Sequence, residues 1–223
     1  MKADKNPEVI SKLFDDISLD YDKNNDIISL GTHKFIKKTA LRELHLQDKN
    51  KILDMCCGTG DIAGLLLHYN KTLEITGVDF SEKMLDIAKN KYGQKINFKF
   101  ADVTDLPFLD NEFDIITIFF GLRNVQNRDK AIKEGYRVLK TGGEFLHLDF
   151  GIKNIFSKIF DVILGISTAL MLKNKESYEY LAKSKEEFPQ PNELIREFTK
   201  EGFILKKRND YLFGIISMQI FTK

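Results

Sequence analysis

The chain has 223 residues, room for one α/β domain with decoration and too few for two enzymatic domains. Hydrophobic residues at 43% and charged residues at 30% exclude a disordered tail. Thirty-four Lys and Arg against 33 Asp and Glu leave a net charge of +1, too little for a generic polyanion binder, so no nucleic-acid partner is expected.

Residues 1–45 have helical patterning and precede the first strand. Their opening residues carry no apolar stretch, so no secretory leader is expected. From residue 50 onward short apolar runs alternate with helical patterns. Lys51–Met55 reads as a strand ending in a glycine turn. Ile62–His68 reads as a helix, with Ile62, Leu65 and Leu66 on one face. Leu73–Val78 is a second strand, ending at Asp79. Ser81 is suited to cap a helix running through Lys91, with Met84, Leu85 and Ala88 inward. Ile96–Phe100 and Phe113–Phe119 are the third and fourth strands. Arg128–Leu139 is a helix that Lys140-Thr141-Gly142-Gly143 should stop, and Gly143–Leu148 is the fifth strand.

Residues 150–195 are too long for an ordinary connection and must carry their own structure. Val162–Leu172 is uncharged for eleven residues, against the roughly 20 that a bilayer span needs. Phe203–Arg208 and Leu212–Thr222 read as two strands turned at Asn209-Asp210, so the last strand should insert antiparallel. Strand–helix alternation implies right-handed crossovers and a mostly parallel sheet. With a closing hairpin this is the plan of a Rossmann-like class I methyltransferase. The reading is one domain over 1–223: a helical lid (1–45), a cofactor-binding core (46–149), a substrate-side insertion (150–195) and a closing segment (196–223). Both extra segments are placed to cover the carboxyl ends of the strands, where ligands lie in open α/β sheets.

The turn Asp54-Met55-Cys56-Cys57-Gly58-Thr59-Gly60-Asp61 follows a strand and opens a helix. Gly58 and Gly60 let backbone approach a ligand, and the helix start offers unpaired N–H groups. Asp79, nineteen residues after Gly60, is placed to accept hydrogen bonds from ribose hydroxyls. Asp102 lies where an adenine amino group would be read. Gly58–Ala63 also satisfies the dinucleotide fingerprint G-x-G-x-x-A, so an NAD-dependent oxidoreductase competes. Asp54, facing a cationic amino end, and the terminal hairpin favour S-adenosylmethionine. Cys56 and Cys57 are adjacent and form no useful staple; they read as two buried thiols of a cytoplasmic protein. No metal-ligand spacing is present.

Phe14-Asp15-Asp16-Ile17, Tyr21-Asp22-Lys23-Asn24-Asn25-Asp26 and Ser29-Leu30-Gly31-Thr32-His33 resemble the N-terminal signature of the ubiquinone/menaquinone-biosynthesis C-methyltransferase family. Leu53–Asp61, Phe120-Gly121-Leu122-Arg123-Asn124-Val125, Tyr136-Arg137-Val138-Leu139-Lys140, Ser177-Tyr178-Glu179-Tyr180-Leu181 and Phe188-Pro189 are similar to its later blocks. Ile36, Thr141, Gln219 and Phe221 depart from the family pattern, as does Phe119, where some members place a serine. The resemblance implies methyl transfer from S-adenosylmethionine to a ring carbon of a prenylated quinol, a step of menaquinone or ubiquinone synthesis. It also implies cofactor contacts by Thr59, Asp79, Asp102 and Val103. The adjacent cysteines lean toward the menaquinone branch.

A neutral quinol carbon is a poor nucleophile; removing the proton of an adjacent hydroxyl loads the ring carbon with electron density. Arg123, after the fourth strand, is the candidate cation for the resulting phenolate, with a loop-holding salt bridge as its other reading. Asn124 can orient either partner or cap the following turn. His33 and Tyr21 stand in the lid, and His33 is a candidate base at neutral pH. His45, His68 and His147 read as structural. Tyr178, Tyr180 and Ser184 are candidates for the substrate side, and Asp149 either faces the pocket or anchors a loop. Ile155, Phe156, Ile159, Phe160, Ile163 and Leu164 form an apolar helical stretch expected to meet a prenyl tail and to bring the protein transiently to a membrane surface. An O-methyltransferase or another small aromatic acceptor is the runner-up, and a non-catalytic S-adenosylmethionine-binding module is a third reading. Oligomeric state, a homodimer included, stays open.

Overall fold

A computed structural model describes residues 4–29, 31–170 and 175–223, without the side chains of 28, 163–170 and 175–179. Leu30 of the N-terminal signature therefore lies outside the described residues, as do the side chains of Tyr178, Ile163 and Leu164. Three helices come first: α1 (Pro7–Ile17), α2 (Tyr21–Ile28) and α3 (Thr32–Leu41). The core then alternates β1 (Lys51–Met55), α4 (Asp61–Tyr69), β2 (Glu74–Asp79), α5 (Glu82–Tyr92), β3 (Asn97–Phe100), β4 (Phe113–Phe119), α6 (Arg128–Val138) and β5 (Leu139–Phe150). The insertion is helical, with α7 (Ile155–Leu170) and α8 (Lys175–Glu187), and α9 (Pro191–Lys200), β6 (Ile204–Tyr211) and β7 (Ile216–Thr222) close the chain.

The seven strands lie in the order β3-β2-β1-β4-β5-β7-β6. The first five are parallel, and β7 slots antiparallel between β5 and β6. The strand order reverses between β1 and β4, which opens a crevice at their carboxyl ends. Alternation along each strand feeds two apolar layers. One packs Ile36, Leu41, Ile62, Leu66 and Leu85 against Ile52, Ile75 and Ile115. The other packs Ile132, Leu194 and Phe198 against Leu53, Ile116, Phe145 and Phe221. Phe198 stacks on Phe221 at 4.2 Å between ring centroids.

Ser81 caps α5 as expected, its hydroxyl accepting from the Met84 N–H at 3.1 Å. Two expected turns move. The helix α6 ends at Val138 and Leu139 already pairs with Phe113, so Lys140–Gly143 do not stop a helix. They bulge out of β5, because Ile115 next pairs with Glu144, and Gly142 takes φ +79° while donating to the Lys223 carbonyl. The hairpin does not turn at Asn209-Asp210 either. Those residues pair with Met218 and Ser217, and Asp210 is held by the Ser217 hydroxyl and the Arg208 guanidinium. The reversal falls at Leu212–Gly214, where three successive residues take positive φ.

The N-terminal helices pack at the strand ends. Ser11 donates to the Phe80 carbonyl at 3.2 Å, and Ser81 donates to Asp15 at 2.6 Å. Lys37 of α3 pairs with Asp61 at the start of α4 at 2.7 Å. Among the described residues no helix is long and apolar enough to cross a membrane.

Candidate active site

Two adjoining cavities of about 170 and 390 Å³ occupy the crevice. Tyr21, Cys56, Gly58, Phe119 and Phe120 wall both.

The smaller cavity is edged by Asp79, Asp102 and Val103, roofed by Ile10 and Phe14 of α1, and backed by Phe80 and Met84. Its shape follows from carboxylates that fold loops as they line them. Asp79 accepts from the Gly58 N–H at 2.8 Å and the Ser81 N–H at 2.9 Å. Burial pushes its carboxyl upward, against the pull of those amides. Asp102 accepts from the Thr104 N–H at 2.8 Å, and Asn124 lines the same cavity.

The larger cavity is walled by Asp54, Thr59, Asp61, Arg123, His33 and Lys37 and by the apolar Phe150, Phe160, Leu181, Leu212, Ile215 and Ile216. Asp54 accepts from the Thr117 hydroxyl at 2.7 Å, while its buried Oδ2 meets no partner among the described residues. Burial pushes this carboxyl up to about 7, opposed by the Thr117 bond and by Lys37. A buried carboxylate oxygen left open in this way is a socket for a cationic donor. Gly58, at φ +53°, has open space where a Cβ would stand, so a ligand can approach the backbone there.

Arg123 makes the salt bridge of its second reading. It is buried, donates to the Phe120 carbonyl and to Asp149 Oδ1, the latter at 3.2 Å, and lies over the Phe150 ring. Its Nε has no partner among the described residues, which leaves a guanidinium N–H available on a group that walls the larger cavity. Asp149 anchors: its Oδ1 also accepts from the Phe150 N–H, and it lines neither cavity. His33 lines the larger cavity, and burial, reinforced by Lys37, pushes its imidazole down so that it is neutral at pH 7.

The whole chain, residues 1–223, matches the ubiE/COQ5 methyltransferase family. A demethylmenaquinone methyltransferase of Staphylococcus aureus (strain JH9) is 38% identical over 224 residues, covering 96% of this chain and 93% of that one. This chain belongs to the ubiE/COQ5 methyltransferase family. The enzyme uses S-adenosylmethionine, and the competing nicotinamide-dependent reading is set aside. A SAM-dependent methyltransferase of Thermotoga maritima superposes with a TM-score of 0.69 at 19% identity, over 95% of this chain and 99% of that one. Phosphoethanolamine N-methyltransferase 2 of Haemonchus contortus, in complex with S-adenosyl-L-methionine, gives 0.65 at 15% identity over 84% of this chain and 52% of that one. At these identities the likenesses establish the fold.

Within this methyltransferase several expected contacts fall elsewhere. Gly60 walls neither cavity; its φ is +80° and an added Cβ would stand 2.9 Å from the Phe98 ring, so it is kept small by packing. Thr59 lines the larger cavity and gives its hydroxyl to Asp22 of the lid at 2.7 Å. Ser184 is buried and donates back to the Leu181 carbonyl, and Tyr180 donates to Asn124 at 3.2 Å instead of lining a cavity. Cys56 is half-buried in both cavity walls rather than buried, while Cys57 is buried. Burial, then Asp79, pushes both thiols well up, so neither serves as a thiolate.

His147 pairs with Gln219 at 2.6 Å inside the core, and His45 pairs with Glu144 at 3.0 Å. Lys37 and Phe120 are the site residues that patterning missed. Lys37 is one of several lysines in a basic helix run, and nothing in the chain order shows that it meets Asp61. Phe120 carries a positive φ of 55°, a strained backbone that no residue type announces.

Proposed function

We propose that this enzyme methylates a ring carbon of a prenylated quinol, demethylmenaquinol, giving menaquinol. The observation that carries the reading is the larger cavity itself. Its wall combines the buried cation Arg123 and the neutral imidazole of His33 with a run of apolar side chains, Phe150 directly beside Arg123. An acceptor that fits must present an oxygen beside the carbon to be methylated and a hydrocarbon tail beyond it. The 38% identity to a demethylmenaquinone methyltransferase supports the same choice.

The residues present fit S-adenosylmethionine, which when bound supplies an electrophilic methyl group on a sulfonium leaving group. Asp79, Asp102 and Val103, which line the smaller cavity, would hold its ribose and adenine. Asp54, whose Oδ2 is unpartnered among the described residues, would hold its ammonium, with Gly58 and Thr59 lining the same cavity. On the acceptor side His33 takes the hydroxyl proton, and Arg123 with its free Nε–H holds the negative charge that develops on oxygen. Tyr21, at the junction of the two cavities, and Asn124, held by Tyr180, fix how the two substrates meet.

The tail leaves past Phe150, Phe160 and Leu212 toward α7. There Ile155, Ile159 and Val162 share one helix face, each at least half exposed, and Phe156 stacks on the exposed Phe213. We place this face on the inner surface of the cytoplasmic membrane, where a tailed quinol resides. Incubating the purified enzyme with a reduced, short-tailed demethylnaphthoquinol and S-adenosylmethionine tests the reading. A product with a carbon-bound methyl is expected. Methylation of oxygen, or none, overturns the assignment.

A further inference from the structure

The lid signature folds back on itself around His33. The Ser29 hydroxyl has one hydrogen, and it donates that hydrogen to the Asn25 carbonyl at 2.7 Å. Its other close partner is His33 Nδ1, at 2.5 Å. With the hydrogen already committed, Ser29 Oγ can only accept from Nδ1–H. A neutral imidazole carries one N–H, so the lone pair falls on Nε2. Nε2 in turn lies 3.6 Å from Asp26 Oδ1. That oxygen is buried and meets no hydrogen-bond donor among the described residues, whereas Asp26 Oδ2 is taken by Lys34 at 2.7 Å. A lone pair facing an open carboxylate oxygen is repelled by it; a proton on Nε2 turns the same contact into an attraction.

We propose that Ser29 and Asp26 are positioning residues: Ser29 fixes the tautomer that makes Nε2 of His33 the proton acceptor, and Asp26 stabilises the imidazolium that results. The proposal rests on the reading of His33 as the base. In the step, the quinol O–H bond breaks, its electron pair stays on oxygen, and an N–H bond forms at Nε2. When the methylated ring loses its C–H proton to solvent, the imidazolium returns its proton to the oxygen. One proton is released per turnover and His33 is restored.

The groups facing His33 predict opposite effects from two neighbours. Asp26 of α2 and Asp61 of α4 favour the charged ring, while Lys37 and Lys34 of α3 oppose it. Asp26→Asn should move the acidic limb of the kcat/KM profile to lower pH, by about one unit for a charge at this distance. Lys37→Met should move it to higher pH. A merely structural role for Asp26 lowers activity at every pH and leaves the limb in place.

The test follows methylation of the short-tailed quinol against pH, together with nitrogen NMR of the ring in the full-length protein. Expected are a loss of about 100-fold or more in kcat for His33→Gln with S-adenosylhomocysteine affinity kept, the two opposite limb shifts, and an Nδ1–H tautomer that Ser29→Ala abolishes. If His33→Gln keeps its turnover, the base assignment fails. If His33→Gln is inactive but neither neighbour moves the limb, the dyad alone fails. An Nε2–H tautomer in the unsubstituted enzyme overturns the proposal even where a variant does not fold.

Discussion

The smaller cavity takes its polar groups from the ends of adjacent strands, Asp79 at the end of β2 and Asp102 after β3, each bonded to a backbone amide two residues on, and Asp79 also across the neighbouring turn. The larger cavity takes its lining from the lid, β1 and the turn after it, α5, the loop after β4, the insertion and the closing hairpin. Two of its charges are paired between elements, Lys37 of the lid with Asp61 of α4 and Arg123 with Asp149 of β5, which lies behind the wall. The first region is fixed wherever the sheet is fixed. The second exists only when the extra segments dock, so its residues hold the assembly together as well as wall the cavity.

Arg123 is where that double duty is heaviest. Its partner Asp149 is fully buried, so Arg123→Met strands a carboxylate in the core. The expected loss is about 3–5 kcal/mol of stability, together with turnover. Replacing both, Arg123→Met with Asp149→Leu, should restore most of the stability and none of the activity. Chemical unfolding read beside the methylation assay separates the roles; recovery of turnover in the double variant would show the cation to be scaffolding only.

Asp54 tests the strand-end side. Unfolded, its carboxyl loses its proton near the ordinary 3.8; folded, it keeps it to about 7. Between those values the native state binds more protons, so this group's contribution to stability falls as pH rises through that window and stays low above it. About three pH units set a ceiling of about 4 kcal/mol. Asp54→Asn keeps an acceptor for Thr117 and cannot ionise. It should therefore raise the unfolding temperature of the ligand-free enzyme at pH 8, with the gain gone at pH 4. The same variant should bind S-adenosylhomocysteine at least about tenfold more weakly. A gain that does not depend on pH would contradict the burial argument.

The two glycines of the β1–α4 turn sharpen the contrast within one loop. Gly60→Ala pushes a Cβ against Phe98, Tyr92 and Ala88 at 2.9–3.2 Å, and should cost roughly 1–3 kcal/mol with little direct effect on donor binding. Gly58→Ala meets open space, so only its positive φ is strained, at about 1 kcal/mol. Its methyl group, however, enters the cavity space. Calorimetry with S-adenosylhomocysteine should find Gly58→Ala the weaker binder and thermal unfolding should find Gly60→Ala the less stable.

This contrast also explains which parts could be read from the chain alone. Strands β1 to β4 and the Ser81 cap carry their signals within a few residues, and Asp54, Asp79 and Asp102 follow because each sits at a strand end. The turn at Leu212–Gly214 was hidden because Asn209 and Asp210 look like turn residues, yet Arg208 and Ser217 satisfy Asp210 within the ladder. Gly60 shares its motif with Gly58, and only the approach of Phe98 tells them apart. Lys37, Ser29 and Asp26 take their roles from contacts made after the lid has folded, which no spacing along the chain encodes.

The smallest effect on the fold belongs to the outward face of α7. Ile159 is 50% exposed and Val162 62%, so replacing both by Ser removes little buried area and should change stability by no more than about 0.5 kcal/mol per site. If the face meets lipid, the loss appears elsewhere. Co-sedimentation with vesicles of anionic and zwitterionic lipid should fall, and KM for a long-tailed quinol presented in those vesicles should rise. The KM for a short-tailed quinol in solution should stay as it was, because Arg123, His33 and the donor residues are untouched. Equal losses on both substrates would instead mean that the substitutions disturb the insertion's packing over the larger cavity, and the membrane placement would be withdrawn.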